Sequence, residues 1–271
     1  MRWINRRIEK PAAVMMGLVP IVLLLIVYLI MAADRNAINP NEKLLPMPGA
    51  MFDAMRALVF EQDPLSGRYL FWSDTLASLQ RLAMGVGIST LSALLVGLVL
   101  GLLPPVRATF GMLVTGIAVI PTIALLPILF IVFGLGETAK VALIVIGIAP
   151  FMIRDITGHI TALPREQIIK AQTLGASTWQ LMLRVALPQT MPRLIQSTRL
   201  SLGPAWVFLI SAEAIASDIG LGYRIFLVRR YLAMDVIIPY VIWIAILAAV
   251  IDMVLVMTSR RAFGWAHQVE R

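Results

Sequence analysis

Leu163-Pro164-Arg165-Glu166-Gln167-Ile168-Ile169-Lys170-Ala171-Gln172-Thr173-Leu174-Gly175-Ala176-Ser177-Thr178-Trp179-Gln180 is a polar interruption in an apolar chain. Pro164 suits a first helical turn, because its missing N–H would be unpaired there anyway. Gly175 suits the position just past a helix end, where a left-handed residue is needed. Ser177 and Gln180 then stand at capping-box spacing. The stretch therefore predicts two short helices about a glycine corner, the second running to about Ala186 and ending at Leu187-Pro188.

The chain on either side of this elbow is apolar. Of 271 residues, 59% are hydrophobic and 14% charged, against about 25% charged in an ordinary globular domain, and the mean hydropathy is +0.87. A helix rising about 1.5 Å per residue needs about 20 apolar residues to cross about 30 Å of hydrocarbon. Six stretches meet or approach that length: Val14–Ala33, Ala83–Leu103, Met112–Phe133, Ala139–Ile153, Leu200–Ala216 and Val236–Met257. The first is long for a signal peptide and lacks a small-residue cleavage site, so it reads as a retained span.

Fourteen of the 23 Lys and Arg residues fall on one side if the N-terminus is cytoplasmic, as the positive-inside rule prefers. Both termini and the elbow then face the cytoplasm. The resulting division is a cytoplasmic segment 1–13, a first span 14–33 and an outer (periplasmic) loop 34–82. A core of spans follows over 83–258 with a cytoplasmic loop at 154–199, then a tail over 259–271. Within the outer loop, Met51–Phe60 suits a short interfacial helix. The +8 charge belongs to this asymmetry rather than to nucleic acid. A helix–glycine–helix element tied between two spans has no reach into a DNA groove.

Cys is absent, which excludes disulfides, thiolate metal sites and a Cys nucleophile. His159 and His267 are far from each other and from any carboxylate cluster, so no metal site is expected. No G-x-x-x-x-G-K-[ST] motif is present to cradle ATP phosphates. Glu213, a carboxylate within a span, is a candidate pathway or gating residue, with a structural hydrogen bond between helices as the plainer alternative. Asp252 reads as a buried polar tether near the cytoplasmic interface, and Glu137 with Lys140 as a surface pair at a helix start. Pro121 and Pro127 free backbone groups in the third span and permit a bend, either lining a cavity as candidate pathway or gating residues or serving only as a packing kink. Arg224, Arg229 and Arg230 put positive charge on the outer side, to draw an anion or to contact a partner. Gly85, Gly97 and Gly101 give one face of the second span small residues for close packing.

Ala171-Gln172-Thr173-Leu174-Gly175-Ala176-Ser177, with Leu187-Pro188 downstream, resembles the EAA loop of ABC importer permeases. The family's glutamate position holds Ile169, and Lys170 replaces the first alanine. Phe133-Gly134-Leu135-Gly136-Glu137-Thr138-Ala139-Lys140 resembles the FGxGExxK stretch of the nitrate/taurine/sulfonate/bicarbonate branch. Ala212-Glu213-Ala214-Ile215 with Gly220-Leu221-Gly222-Tyr223 is similar to its AE-x-I…GLGY segment. The resemblance implies an all-α membrane protein of about six transmembrane helices with the type I importer permease fold. Lys170, Ala171, Thr173, Leu174, Gly175, Ala176, Ser177, Leu187 and Pro188 would form its ATPase-coupling element. It further implies a second permease copy, two ATPase subunits holding ATP and Mg2+, and a periplasmic or lipid-anchored binding protein. The cargo would be a small anion, which an ionised Glu213 would repel. An ATP-independent secondary transporter or channel would call for an intramembrane charge relay or inverted repeats. An intramembrane enzyme would call for a convergent set of His, Asp, Glu and Ser. Neither pattern is evident.

Overall fold

The computed structural model describes residues 10–39, 43–64 and 66–266, and these form helices joined by short turns. Among the described residues five helices are long and apolar enough to cross a membrane, or six if a bent pair is counted as one span. The first, α1 (Lys10–Ile38), is exposed along nearly its whole length. It is tied down where Tyr28 donates to the Pro46 carbonyl at 2.7 Å and Asn36 to that of Leu45 at 3.1 Å. A helix apolar all round and unpacked by its own chain is one made for lipid or another membrane helix. Next, α2 (Pro48–Phe60) covers the expected interfacial helix, opens on a proline and packs against the bundle without burying a residue.

The loop expected over 34–82 ends early, because α3 (Leu70–Leu102) is helical from Leu70 onward. Asp74, Ser78 and Arg81, which fall within that expected loop, are all buried. With 33 residues, α3 is about 50 Å long, so its polar first turns extend beyond the hydrocarbon while the rest crosses it.

The third span is not straight. Pro104 opens α4 (Pro104–Val119); a 3-10 turn over Thr122–Leu125 and α5 (Leu126–Phe133) follow, and the two arms are bent by 89°. Ile120 is extended, as a residue before proline tends to be. Pro121 lacks the N–H that would carry the helix on, and Pro127 sits in the first turn of α5. The bend anticipated from two prolines is thus a full break.

The fourth span, α6 (Glu137–Thr161), is longer than expected at both ends. It packs on α3 through the glycine face. A Cβ added at Gly85, Gly97 or Gly101 would lie 2.6, 2.7 or 2.6 Å from Ile144, Ile156 or Ile160 respectively. Branched isoleucines on one helix thereby sit against the bare backbone of the other, and overpacking there costs about 1–3 kcal/mol per site. The elbow holds α7 (Arg165–Thr173) and α8 (Thr178–Leu181). A π turn over Met182–Ala186 then leads without interruption into α9 (Leu187–Ala216). Two helices complete the fold: α10 (Leu221–Arg229) and α11 (Met234–Ala262), which returns through the bundle.

Candidate functional site

The elbow is built by local bonds. The Ala176 N–H donates to the Ala171 carbonyl at 3.0 Å and the Gly175 N–H to that of Gln172 at 2.9 Å. This double closure is the Schellman motif, and Gly175 supplies its left-handed residue with φ +80°. Pro164 takes the N-cap of α7. The capping box of α8 is complete, with Gln180 N–H to Ser177 Oγ at 3.3 Å and Ser177 N–H to Gln180 Oε1 at 2.9 Å. Ala171 and Ala176 are half-buried, whereas Lys170, Thr173, Leu174, Gly175 and Ser177 are exposed. Three apolar side chains stand far out: Ile169 is 58%, Leu174 88% and Trp179 65% exposed.

The second short helix does not end at Leu187-Pro188. The Leu187 N–H reaches the Met182 carbonyl in a π turn, and Pro188 opens α9 in its first turn. Widening the helix by one residue accommodates the missing proline N–H, so the expected break becomes a bulge. In consequence α8 is continuous with a membrane span, and the loop between α6 and that span is shorter than 154–199. Gln189 of α9 donates to Gln167 of α7 at 2.9 Å, and His159 of α6 meets the Gln189 carbonyl at 3.3 Å. His267 lies outside the described residues.

Where α4 breaks, a cleft of about 640 Å³ opens between the break, α6 and α9. Pro121 and Thr122 line it, with Gly147, Ile148, Phe151 and Met152 from α6 and Ser197, Ser201, Pro204 and Phe208 from α9. Asp155 stands at the end of the cleft toward the elbow and is paired with Arg193. Pro127 lies outside the lining, in α5.

Glu213 does not face this cleft. It is fully buried, and its carboxylate accepts from Ser78 Oγ at 2.7 Å, Arg81 Nη1 at 2.7 Å and the Gly222 N–H at 2.8 Å. Arg81 forks: Nη1 also reaches the Ile219 carbonyl at 2.7 Å, while Nη2 donates to Glu137 at 2.8 Å. Lys140 donates to Glu137 at 2.8 Å and to Ser217 at 3.2 Å. The pair Glu137–Lys140 is therefore no simple surface pair, because Lys140 is buried and Arg81 shares its acid. Asp74 accepts from the Gly220 N–H at 3.0 Å, from Arg224 at 2.8 Å and from Tyr240 at 3.3 Å. Three acids and three bases thus balance in one cluster, at the end of the bundle opposite the elbow, joining α3, α6, α9, α10 and α11. Gly220, with φ +137°, would place a Cβ 2.6 Å from the Glu213 carboxylate, so only glycine lets the loop fold over the acid.

Arg224 is committed to Asp74 and is not open to solvent ligands as a free cation. Arg229 and Arg230 are exposed, the former against the Phe226 ring at 4.8 Å. Asp252 pairs with Arg199 at 2.7 Å and is 41% exposed at the side chain, so it is an ion-paired rim residue rather than a buried tether. Sequence reading missed Asp74, Ser78, Arg81, Ser197 and Ser201. Positions 74, 78 and 81 repeat at helical spacing, a polar stripe that marks a buried helix face once a helix is granted there.

A family model for the inner membrane component of binding-protein-dependent transport systems matches residues 82–264. The chain belongs to this family. Among the permeases it is similar to, the taurine transport system permease protein TauC of Escherichia coli K12 is 31% identical over 83% of this chain and 82% of that protein. The bicarbonate transport system permease protein CmpB of Synechococcus elongatus is 29% identical over 68% of this chain and 66% of its own length. In fold the permease matches a chain of the inward-facing MetNI methionine ABC transporter, with a TM-score of 0.63 at 20% identity. That match covers 73% of this chain and 98% of the other. The fold is that of a type I ABC importer permease, a multi-pass inner-membrane protein. The elbow, the cleft and the charge cluster all lie within, or begin beside, the matched segment.

Proposed function

We propose that this permease conducts a small anion of the taurine, sulfonate, nitrate or bicarbonate type inward, driven by ATP hydrolysed on separate subunits. The relatives named for taurine and bicarbonate support that cargo class. The observation that carries the coupling is the elbow. It is closed by its own backbone bonds, yet it leaves Ile169, Leu174 and Trp179 exposed. Exposed apolar side chains grouped on a rigid projection suit a protein partner. Two ATPase subunits, carrying ATP and Mg2+, are the partners proposed there. A second permease copy would complete the pathway and a binding protein would deliver cargo from outside, near Arg229 and Arg230. Both termini and the elbow lie in the cytoplasm in this arrangement.

Continuity of α8, the π turn and α9 gives the force a route. A pull on the elbow moves α9 directly, and α9 lines the cleft with Ser197, Ser201 and Pro204. Pro121 at the break in the third span would let α4 and α5 move as separate arms. Glu213, sealed among Ser78, Arg81 and Gly222, supports a structural role at the outer end better than a gating one. The test uses the absence of native cysteine. Thr178→Cys should react with a membrane-impermeant maleimide only from the cytoplasmic side, and an ATPase subunit should co-purify and protect it. Labelling from the periplasmic side would end this reading.

A further inference from the structure

Ser197 and Ser201 stand one helical turn apart on α9, both lining the cleft, and are only 4% and 9% exposed. A hydroxyl within a helix commonly donates to the carbonyl four residues back. On α9 this happens at Thr190, Thr198 and Ser211, which reach Ala186, Leu194 and Val207 at 2.8, 2.9 and 2.7 Å. Among the described residues Ser197 and Ser201 have no such partner. Nor are they sealed like Thr157 Oγ1 and Trp206 Nε1; their oxygens open on the cleft. Two hydroxyl donors are therefore held, unspent, on one wall.

Thr122, the other hydroxyl of the lining, turns back to the Ile120 carbonyl at 3.5 Å, and apart from Asp155 the rest of the wall is apolar, chiefly Ile148, Phe151, Met152 and Phe208. Its one charged lining residue, Asp155, is committed to Arg193. Phe208 rests so near Gly147 that a Cβ there would lie 2.2 Å from the ring, which shapes this wall and closes it beyond the serines. A bare inorganic anion entering this space would shed its hydration for two hydroxyls and no counter-charge, an unfavourable exchange. An anion with a hydrocarbon body would recover free energy in proportion to the carbon it buries.

We propose that the cleft is a transit site for an organic oxyanion with a short alkyl body, its oxygens taken by Ser197 and Ser201 and its carbons by Phe151, Met152 and Phe208. This rests on the small-anion reading above and sharpens it toward alkanesulfonate-like cargo and away from nitrate or bicarbonate. Without a cation the hold is weak, as suits a site that must release what it admits.

The experiment is equilibrium dialysis of the full-length permease in nanodiscs, with its ATPase bound and no binding protein, against ethanesulfonate, butanesulfonate, hexanesulfonate and nitrate. Affinity should rise by roughly three- to fourfold for each added methylene, with nitrate weakest. The Ser197→Ala/Ser201→Ala double variant should bind butanesulfonate about tenfold more weakly, while Ser201→Thr, which keeps a hydroxyl, should bind near the parent. Nitrate binding as tightly as butanesulfonate, or a double variant of undiminished affinity, overturns the proposal. Should the double variant not fold, the chain-length series on the parent decides alone. An ATPase that never associates would sink the importer reading instead, and the dialysis would still be read on the permease itself.

Discussion

The charge cluster and the elbow are both polar interruptions of an apolar chain, and they spend their polarity in opposite ways. In the cluster every charge is answered inside the protein: Glu213 by Arg81, Glu137 by Arg81 and Lys140, Asp74 by Arg224. In the elbow the backbone is closed by its own Schellman and capping-box bonds, while the side chains are left facing out. One region is a knot that holds five helices together at one end of the bundle. The other is a handle, rigid in itself and incomplete on its surface. A transporter that rocks about one end while being pulled at the other needs both, and the difference shows that polar residues in a membrane chain are best sorted by where their hydrogen bonds go.

The comparison can be broken hardest at the knot. Arg81→Ala leaves Glu213 buried against Ser78 and Gly222 without its counter-ion, and removing one partner of a buried pair costs about 3–5 kcal/mol. The variant should fail to accumulate, or should melt far below the parent in a fluorescence-detected thermal assay. A parent-like Tm would mean the cluster is ornamental. Glu213→Gln is the sharper version. Both carboxylate oxygens accept hydrogen bonds, so an amide must turn its NH2 against a donor, at about 1–3 kcal/mol. Thermal stability should fall by less than in Arg81→Ala, and full tolerance would contradict the bonding described.

At the handle, Gly175→Val forces a β-branched residue to φ +80°, a strain of about 1–3 kcal/mol confined to an exposed turn. Because that strain stays within the elbow, the span bundle should melt near the parent temperature while ATPase retention on affinity purification drops severalfold. Loss of the bundle with retained ATPase would reverse the assignment of knot and handle. The smallest effect is expected from Arg230→Gln. This side chain is exposed beside the cluster but outside it, so stability should change by no more than about 0.5 kcal/mol. Any loss in that variant should appear only in assays that include an external partner.

The elbow was legible in advance because it is made of short-range chemistry. Gly175, Ser177 and Gln180 bond within a few residues, so spacing alone announces them. The same reading failed at Leu187-Pro188, where a π turn absorbs a proline that otherwise ends a helix. It failed again at Asp74, Ser78 and Arg81, which fall within the expected loop. Gly85, Gly97 and Gly101 announced a packing face correctly, but the isoleucines that fill it come from α6.

Composition and run length by themselves determined that this chain lives in a bilayer, since no soluble core could hide so much apolar surface, and local caps determined that a rigid corner interrupts it. Which charges neutralise one another was decided only by tertiary structure. Arg81 and Glu213 are 132 residues apart and Asp74 and Arg224 150 apart, and no periodicity links positions at such distances. The cleft belongs to the same class: it exists because a broken helix leaves a gap that α6 and α9 do not fill, and a void has no residues of its own to be read.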